Sequence, residues 1–316
     1  MFLYILLLIV GFVLLIKGAD IFVDGASSTA SNFKMSKVLI GLTIVAFGTS
    51  APEFAVSMTS LANGSTDMLL GNVLGSNILN TLLILGAAAV ISPINIKANT
   101  VKKEIPLCLL VSTLLVVLFL DNKLGGESVN IISRGDALAI LLFFTIFLYY
   151  LLSLARTKNE EKTEKPQFKL GKSLLFVVIG LAAIILGSNL VVDNASIIAK
   201  TLGLSERLIA LTIIAFGTSL PELITTIVSA RKAETDILLG NIIGSNIFNI
   251  CVVLGIPVAI YGTLTPGSFQ AIDLIMLVAS SVILFIFAET KKTINRYEGL
   301  IMLIVFALYY SIIFVI

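Results

Sequence analysis

One stretch of this chain occurs twice. GLTIVAFGTSAPEF (41–54) returns as ALTIIAFGTSLPEL (210–223), and DMLLGNVLGSNILN (67–80) returns as DILLGNIIGSNIFN (236–249). Both matches fall at one offset of 169 residues without a gap, and 26 of the 48 positions from 39 to 86 are identical to their counterparts. The offset also pairs Gly18 with Gly187 and Asp24 with Asp193. A chain duplicated in this way must build one architecture twice, and any fold that ignores the repeat is excluded.

The unit that repeats is apolar. The chain is 58% apolar and 13% charged, about half the ~25% charge of a soluble domain. Apolar runs of about 20 residues, the length that crosses a bilayer as a helix, lie between short charged clusters. Hydropathy places spans near 2–22, 37–62, 68–91, 104–121, 134–154, 171–192, 206–230, 236–261, 270–288 and 297–315. Met1–Ile16 lacks a basic leader and a small-residue cleavage site, so it reads as the first span rather than a signal peptide. The longest polar stretch, RTKNEEKTEKPQFKLGK (156–172), divides the spans into two sets of five. Five is odd, so two such units in tandem run in opposite directions through the membrane. The expected fold is therefore an all-α polytopic membrane protein with ten transmembrane helices in two inverted-topology five-helix repeats. The repeats cover 1–155 and 171–316, joined by a solvated linker at 156–170.

Loops on the linker's side carry sixteen Lys and Arg, and the opposite loops carry four: Lys123, Arg134, Lys200 and Arg207. The positive-inside rule puts the linker in the cytoplasm and both termini outside it. Net charge is +2 without a basic face, which argues against nucleic acid as a partner. Cys108 and Cys251 both fall in apolar runs and read as packing thiols. The chain contains no His, which excludes a histidine relay or histidine metal site.

The centre of span two holds Gly48-Thr49-Ser50-Ala51-Pro52-Glu53, and span seven repeats it as Gly217-Thr218-Ser219-Leu220-Pro221-Glu222. Pro52 cannot donate to the carbonyl of Gly48, and its ring crowds that turn. Each helix should break there, leaving free carbonyls beside the Thr and Ser hydroxyls, in a place where protein or a wet cavity surrounds them. Glu53 and Glu222 then sit at mid-membrane, where a carboxylate is costly unless protonated or paired. No midplane Lys or Arg is available to pair with them, so a bound cation is the simplest partner. In spans three and eight, Asn72, Ser76 and Asn80 share one helix face, and Asn241, Ser245 and Asn249 repeat the stripe. The Gly71/Gly75 and Gly240/Gly244 pairs allow close helix approach beside it. All of these donors are hard oxygens, which favour Ca²⁺ or Na⁺ over zinc or copper. Two carboxylates would balance one Ca²⁺, two Na⁺ or two protons, the equivalence an obligatory exchanger needs. Asp20, Asp24 and Asp193, near the ends of spans one and six, read as helix-end or loop hydrogen-bonding groups, with an ion-attracting vestibule or gate contact as the alternative. Asp67 and Asp236 read as first-turn residues favoured by the helix dipole.

With GTSAPE, GTSLPE and the two GN-x-x-GSNI-x-N motifs in view, the chain resembles the calcium:cation antiporter superfamily, in its prokaryotic sodium/calcium exchanger branch, over essentially its whole length. The resemblance implies a secondary antiporter that exchanges Ca²⁺ for Na⁺ by alternating access, with Ca²⁺/H⁺ exchange as the alternative. It also implies an inner-membrane location, a monomeric transport unit in the lipid bilayer, no cofactor and no enzymatic activity. Glu53 and Glu222 would be the central carboxylate ligands. Thr49 and Thr218 would offer backbone carbonyls, Ser50 and Ser219 would line flanking sodium sites, and Ser76 and Ser245 would add side-chain oxygens. Asn80 and Asn249 would complete the centre, and the carbonyls of Ala46 and Ala215 would line the sodium sites. Spans one and six would slide as a gate across the other eight. One departure stands out: several family members carry Asp where this chain has Asn249, so both halves here present Asn. That bears on potassium co-transport and stoichiometry.

Other function classes fit less well. A channel could use the same oxygens as a selectivity ring, but a two-fold pair of broken helices within one chain suits alternating access better. An intramembrane serine enzyme would lack an activating base beside Ser50 or Ser219. A structural scaffold has no use for two unpaired midplane acids.

Overall fold

The computed structural model describes residues 2–120, 130–156, 165–203, 215–265 and 271–315. These residues are almost wholly helical. In chain order the helices are α1 (Phe2–Phe33), α2 (Lys37–Thr49), α3 (Ala51–Ala62), α4 (Thr66–Ile91), α5 (Ile105–Leu118), α6 (Arg134–Arg156), α7 (Leu170–Thr201), α8 (Ala215–Thr218), α9 (Leu220–Arg231), α10 (Thr235–Tyr261), α11 (Ala271–Lys291) and α12 (Arg296–Val315). Seven are long and apolar enough to cross a membrane, and α2 with α3, bent by 46° at Ser50, makes an eighth.

Two of the ten expected spans are not counted among these eight. The one near 104–121 is the 14-residue α5, entered through a π-helical turn, Thr100–Glu104, that carries Lys102 and Lys103. The one near 206–230 is described only from residue 215 onward. Two other spans are longer than hydropathy suggests. α1 and α7 each run for 32 residues, about 48 Å at 1.5 Å per residue, against a hydrocarbon core of ~30 Å. The extension of α1 is polar by composition but satisfied locally. Thr29 Oγ1 and Asn32 Nδ2 donate to the carbonyls four residues earlier, at 2.7 and 2.8 Å. Asn32 Nδ2 also reaches the carbonyl of Phe168 at 2.8 Å.

α1 and α7 lie against one another along most of their length. Glycines make this possible: a Cβ on Gly11 would stand 2.9 Å from the Gly187 carbonyl, and one on Gly180 would stand 2.6 Å from the Phe22 nitrogen. Around this pair a small apolar cluster gathers Leu15, Phe22, Val23 and Ala26 of α1, Ile184 of α7, Ile40 and Val45 of α2, and Val228 of α9. A second, larger core forms where α4, α5, α6, α10, α11 and α12 pack.

The loops meet in two places. Ile94–Asn95 and Thr293–Ile294 form a short antiparallel ladder, Ile94 opposite Ile294, which the sequence did not signal. In the equivalent place of the second half, Leu264 pairs with Ile132 through reciprocal backbone bonds of 2.8 and 2.9 Å. The basic loops gather together: Lys37 pairs with Glu234 at 3.0 Å, Lys97 with Asp236 at 3.1 Å, and Lys232 with Asp24 at 2.7 Å.

Candidate functional site

The two proline-bearing breaks face each other. α2 stops at Thr49, Ser50 takes a non-helical conformation (φ −83°, ψ 7°), and α3 starts again with Pro52 in its first turn. Ser219 repeats this almost identically (φ −90°, ψ 6°), with Pro221 in the first turn of α9. Glu53 and Glu222 therefore both lie in the first turn of a half-helix, where the exposed N–H groups and the helix dipole favour negative charge. The two side chains are 1% and 0% exposed.

The halves are cross-linked at this point. Ser50 Oγ donates to Glu222 Oε1 at 2.8 Å, and Ser219 Oγ lies 3.1 Å from Glu53 Oε1. Each carboxylate is thus held by the serine from the other half's break. Each also keeps one buried oxygen, Oε2, without a hydrogen-bonding partner. Among the described residues no basic side chain pairs with either carboxylate. An unpaired buried carboxylate oxygen is among the most expensive groups a protein interior can contain. Two of them, one beside each break, are the mark of a site built for a charge the chain does not itself carry.

The asparagine stripes complete the walls. Thr49 Oγ1 lies 3.2 Å from Asn241 Oδ1, and Thr218 Oγ1 lies 3.4 Å from Asn72 Oδ1, again a pair related by the repeat. Asn72 Nδ2 donates to the carbonyl of Glu53 at 2.8 Å and to Ser57 Oγ at 2.9 Å. Asn241 Nδ2 donates to Thr226 Oγ1 at 3.2 Å. Ser76 stands 3.2 Å from Ser219 Oγ, and Ser245 Oγ lies 3.4 Å from the carbonyl of Ala46. The glycines of α10 bring its stripe in: a Cβ on Gly240 would meet the Val38 carbonyl at 2.6 Å, and one on Gly244 would meet Ala46 Cβ at 2.8 Å.

Of the site residues expected from the sequence, Glu53, Glu222, Thr49, Thr218, Ser50, Ser219, Ser76, Ser245 and Ala46 converge in this one network. Ala215 opens the short helix α8 at the position equivalent to Ala46, and its side chain lies outside the described set. Asn80 and Asn249 are fully buried at the entrance to matching π-helical turns, Leu79–Ile84 and Asn249–Leu254. Such turns free backbone carbonyls and recur at functional sites. Asn80 Nδ2 donates to Asn246 Oδ1 at 3.1 Å, whereas Asn249 has neither amide atom partnered.

Four residues here carry roles that the sequence did not show. Asn72 and Asn241 were visible as stripe members, but their role in tying the two breaks together was not. Asn246, which binds both Asn80 and Thr81, is marked only by its recurrence with Asn77 at the repeat offset. Ser188 of α7 donates at 3.0 Å to the carbonyl of Gly217, the one Pro221 leaves free, and nothing in its sequence context distinguishes it from a packing serine.

Comparison with known proteins agrees with this picture. The sodium/calcium exchanger protein family model matches residues 3–153 and 172–315. CaxA of Alkalimonas amylolytica, a candidate antiporter, is 40% identical over 97% of this chain and 97% of its own length. The sodium/calcium exchanger MaX1 of Methanosarcina acetivorans is 30% identical over 98% of both chains. The inner membrane protein YrbG of Escherichia coli is 38% identical over 87% of this chain and 86% of its own. Among solved structures, the sodium-calcium exchanger NCX_Mj soaked with 10 mM Na⁺ and no Ca²⁺ superposes with a TM-score of 0.85 at 33% identity, over 99% of this chain and 98% of that one. The chain belongs to the sodium/calcium exchanger protein family and is a multi-pass membrane protein.

Proposed function

We propose that this member of the family exchanges Ca²⁺ for Na⁺ across the membrane by alternating access, through ten spans arranged as two inverted five-helix repeats (1–155 and 171–316) about the linker at 156–170. One observation carries the reading: two buried carboxylates, one per repeat, each hold a serine from the other repeat on one oxygen and leave the other oxygen free. The relative MaX1 bears the name of a sodium/calcium exchanger, and NCX_Mj is a sodium-calcium exchanger by its description. Contacts that recur in pairs at the 169-residue offset support a two-fold relation between the halves.

In this reading Glu53 and Glu222 coordinate the central Ca²⁺. Ser76, Ser245, Asn80 and Asn249 add side-chain oxygens, and Thr49 and Thr218 add backbone carbonyls. Ser50, Ser219 and the carbonyls of Ala46 and Ala215 line sites for Na⁺. Ca²⁺ takes 6–8 oxygens in flexible geometry, a number this set can supply. A dianionic empty site is costly to carry past hydrocarbon, so movement between faces requires a load, and that requirement is exchange. The bias of basic residues toward one set of loops supports a cytoplasmic location for that face, with both termini on the other side. The working unit is a monomer, since both halves of the site come from one chain.

The test is gradient-driven ⁴⁵Ca uptake into proteoliposomes, with Na⁺ and pH gradients imposed independently. Uptake that follows the Na⁺ gradient supports the reading. Uptake that follows the pH gradient instead establishes Ca²⁺/H⁺ exchange, which the two free Glu Oε2 atoms also suit, since each can hold a proton. Uptake indifferent to the ion on the far side would mean a channel and would overturn exchange.

A further inference from the structure

α9 carries more hydroxyls than its sodium/calcium site uses. Below Glu222, Thr225 and Ser229 follow at i+3 and i+7, on one side of the helix, and Lys232 follows at i+10. Thr225 and Ser229 are both 0% exposed, and neither hydroxyl has a hydrogen-bonding partner. Thr226, beside them, is different: it is bonded to Asn241. A hydroxyl on a helix usually satisfies itself on the carbonyl three or four residues back, as Thr29, Thr43 and Ser112 do here. Two consecutive hydroxyls that leave this bond unmade, on the stripe leading away from the central carboxylate, call for an explanation.

The stripe has a direction and a lid. It begins at Glu222 and ends at the basic-loop face. There Lys232 Nζ bonds the Asp20 carbonyl at 2.8 Å and Asp24 Oδ1 at 2.7 Å, both on α1. Glu234 just beyond is held by Ser27 of α1 at 2.7 Å and by Lys37 at 3.0 Å. A cleft lined by Lys37, Lys97, Glu234 and Asp236 opens at this end. α1 packs along α9, with Phe22, Val23 and Ala26 in the same apolar cluster as Val228. α1 therefore covers the side of α9 that carries Val228, next to Ser229, and charge pairs join the two segments at the outer end.

We propose that Thr225 and Ser229 are transit ligands for the transported cation: they line its route between the central site and the basic-loop face, and α1 with its Asp20/Asp24–Lys232 clasp closes that route in this conformation. The hydroxyls stay unpaired in the closed state because their partner is the partly dehydrated cation, present only when the route is open. The repeat supports the assignment. Ser60, the counterpart of Ser229, is also buried and unpartnered on α3 below Glu53. The counterpart of Thr225 is Val56, so this rung is particular to the route along α9.

The proposal rests on the exchange reading, and its test separates the two. Compare wild type with Thr225→Val/Ser229→Ala in three measurements: Na⁺-driven ⁴⁵Ca flux in proteoliposomes, equilibrium ⁴⁵Ca binding in detergent, and Tm. The expected result is flux slower by about tenfold, the rate equivalent of one lost polar partner. Ca²⁺ affinity should be unchanged and Tm unchanged or higher, because the variant removes unsatisfied polar atoms from the closed state. Wild-type flux in the variant overturns the proposal. So does a lower Tm or a parallel loss of affinity, either of which would make these hydroxyls structural members of the core or of the central site. If wild type itself shows no Na⁺-driven flux but binds Ca²⁺, the exchange reading fails first, on its own measurement.

Discussion

α3 and α9 hold equivalent places in the two repeats, yet they are not in the same situation. Both start with a broken turn, a proline and a buried glutamate. Beyond the glutamate they part. Only Glu53, Ser57, Ser60 and Leu61 are buried among the twelve residues of α3, whereas seven of twelve are buried in α9. One difference is a neighbour. α1 packs along α9, but its counterpart α7 has no such packing along α3 among the described residues. The two half-helices share the proline, the glutamate and Ser60/Ser229, and one is covered where the other is less so. In the proposed exchange, swapping those roles, with α7 covering α3 and α1 leaving α9, would expose the same site to the other face. The asymmetry accompanies both a different neighbour and different residues, such as Val56 opposite Thr225 and Ala62 opposite Arg231.

The strongest way to break the comparison is to remove what the two segments share. Glu53→Gln or Glu222→Gln should lower Ca²⁺ flux in proteoliposomes by at least about 100-fold, the upper end of what losing even an outer partner costs a metal site. Gel filtration should show a folded protein. Wild-type flux in either variant would remove the site assignment. Next in size is the glycine seam that lets α1 and α7 sit together. Gly180→Ala would drive a Cβ to 2.6 Å from the Phe22 nitrogen, a backbone atom that cannot swing aside. The expected cost is about 1–3 kcal/mol, read as a lower Tm; an unchanged Tm would show that the seam yields freely.

Hydrogen exchange measures the α3/α9 difference directly. Amides of α3 should exchange about tenfold faster than those of α9, a gap of about 1.4 kcal/mol in local opening, because fewer of its residues are buried. Equal rates would mean that the burial difference is not one of stability. The smallest effect is expected at the clasp. Lys232 and its two acids are each a quarter to two-fifths exposed, so Lys232→Gln should change stability by about 0–1 kcal/mol. A large loss of stability would show that the pair is structural rather than a latch.

Much of this was legible in the residues. Pro52 and Pro221 announced the breaks, because a missing N–H is a local fact that no packing can restore. The hydroxyl and carboxylate identities announced hard-cation chemistry for the same reason. The polar end of α1 was not legible: hydropathy stops near residue 22, while Thr29 and Asn32 carry the helix on to Phe33 by satisfying themselves on its own backbone. Nor could periodicity say that Asn72 would reach across to Thr218 while also holding the carbonyl of Glu53, because a helix face specifies a direction and not a neighbour.

The sequence by itself determined the duplication, the apolar spans, the broken turns and the kinds of atom at the centre. Each of these follows from composition, covalent geometry or short spacing. Only the tertiary structure decided that each serine serves the other half's glutamate, that Asn80 is held through its amide nitrogen while neither amide atom of Asn249 is bonded, and that α9 is covered where α3 is less so. The physical reason is that the repeat fixes local preferences at the positions the halves share, whereas which side chains meet across the halves depends on how the helices pack.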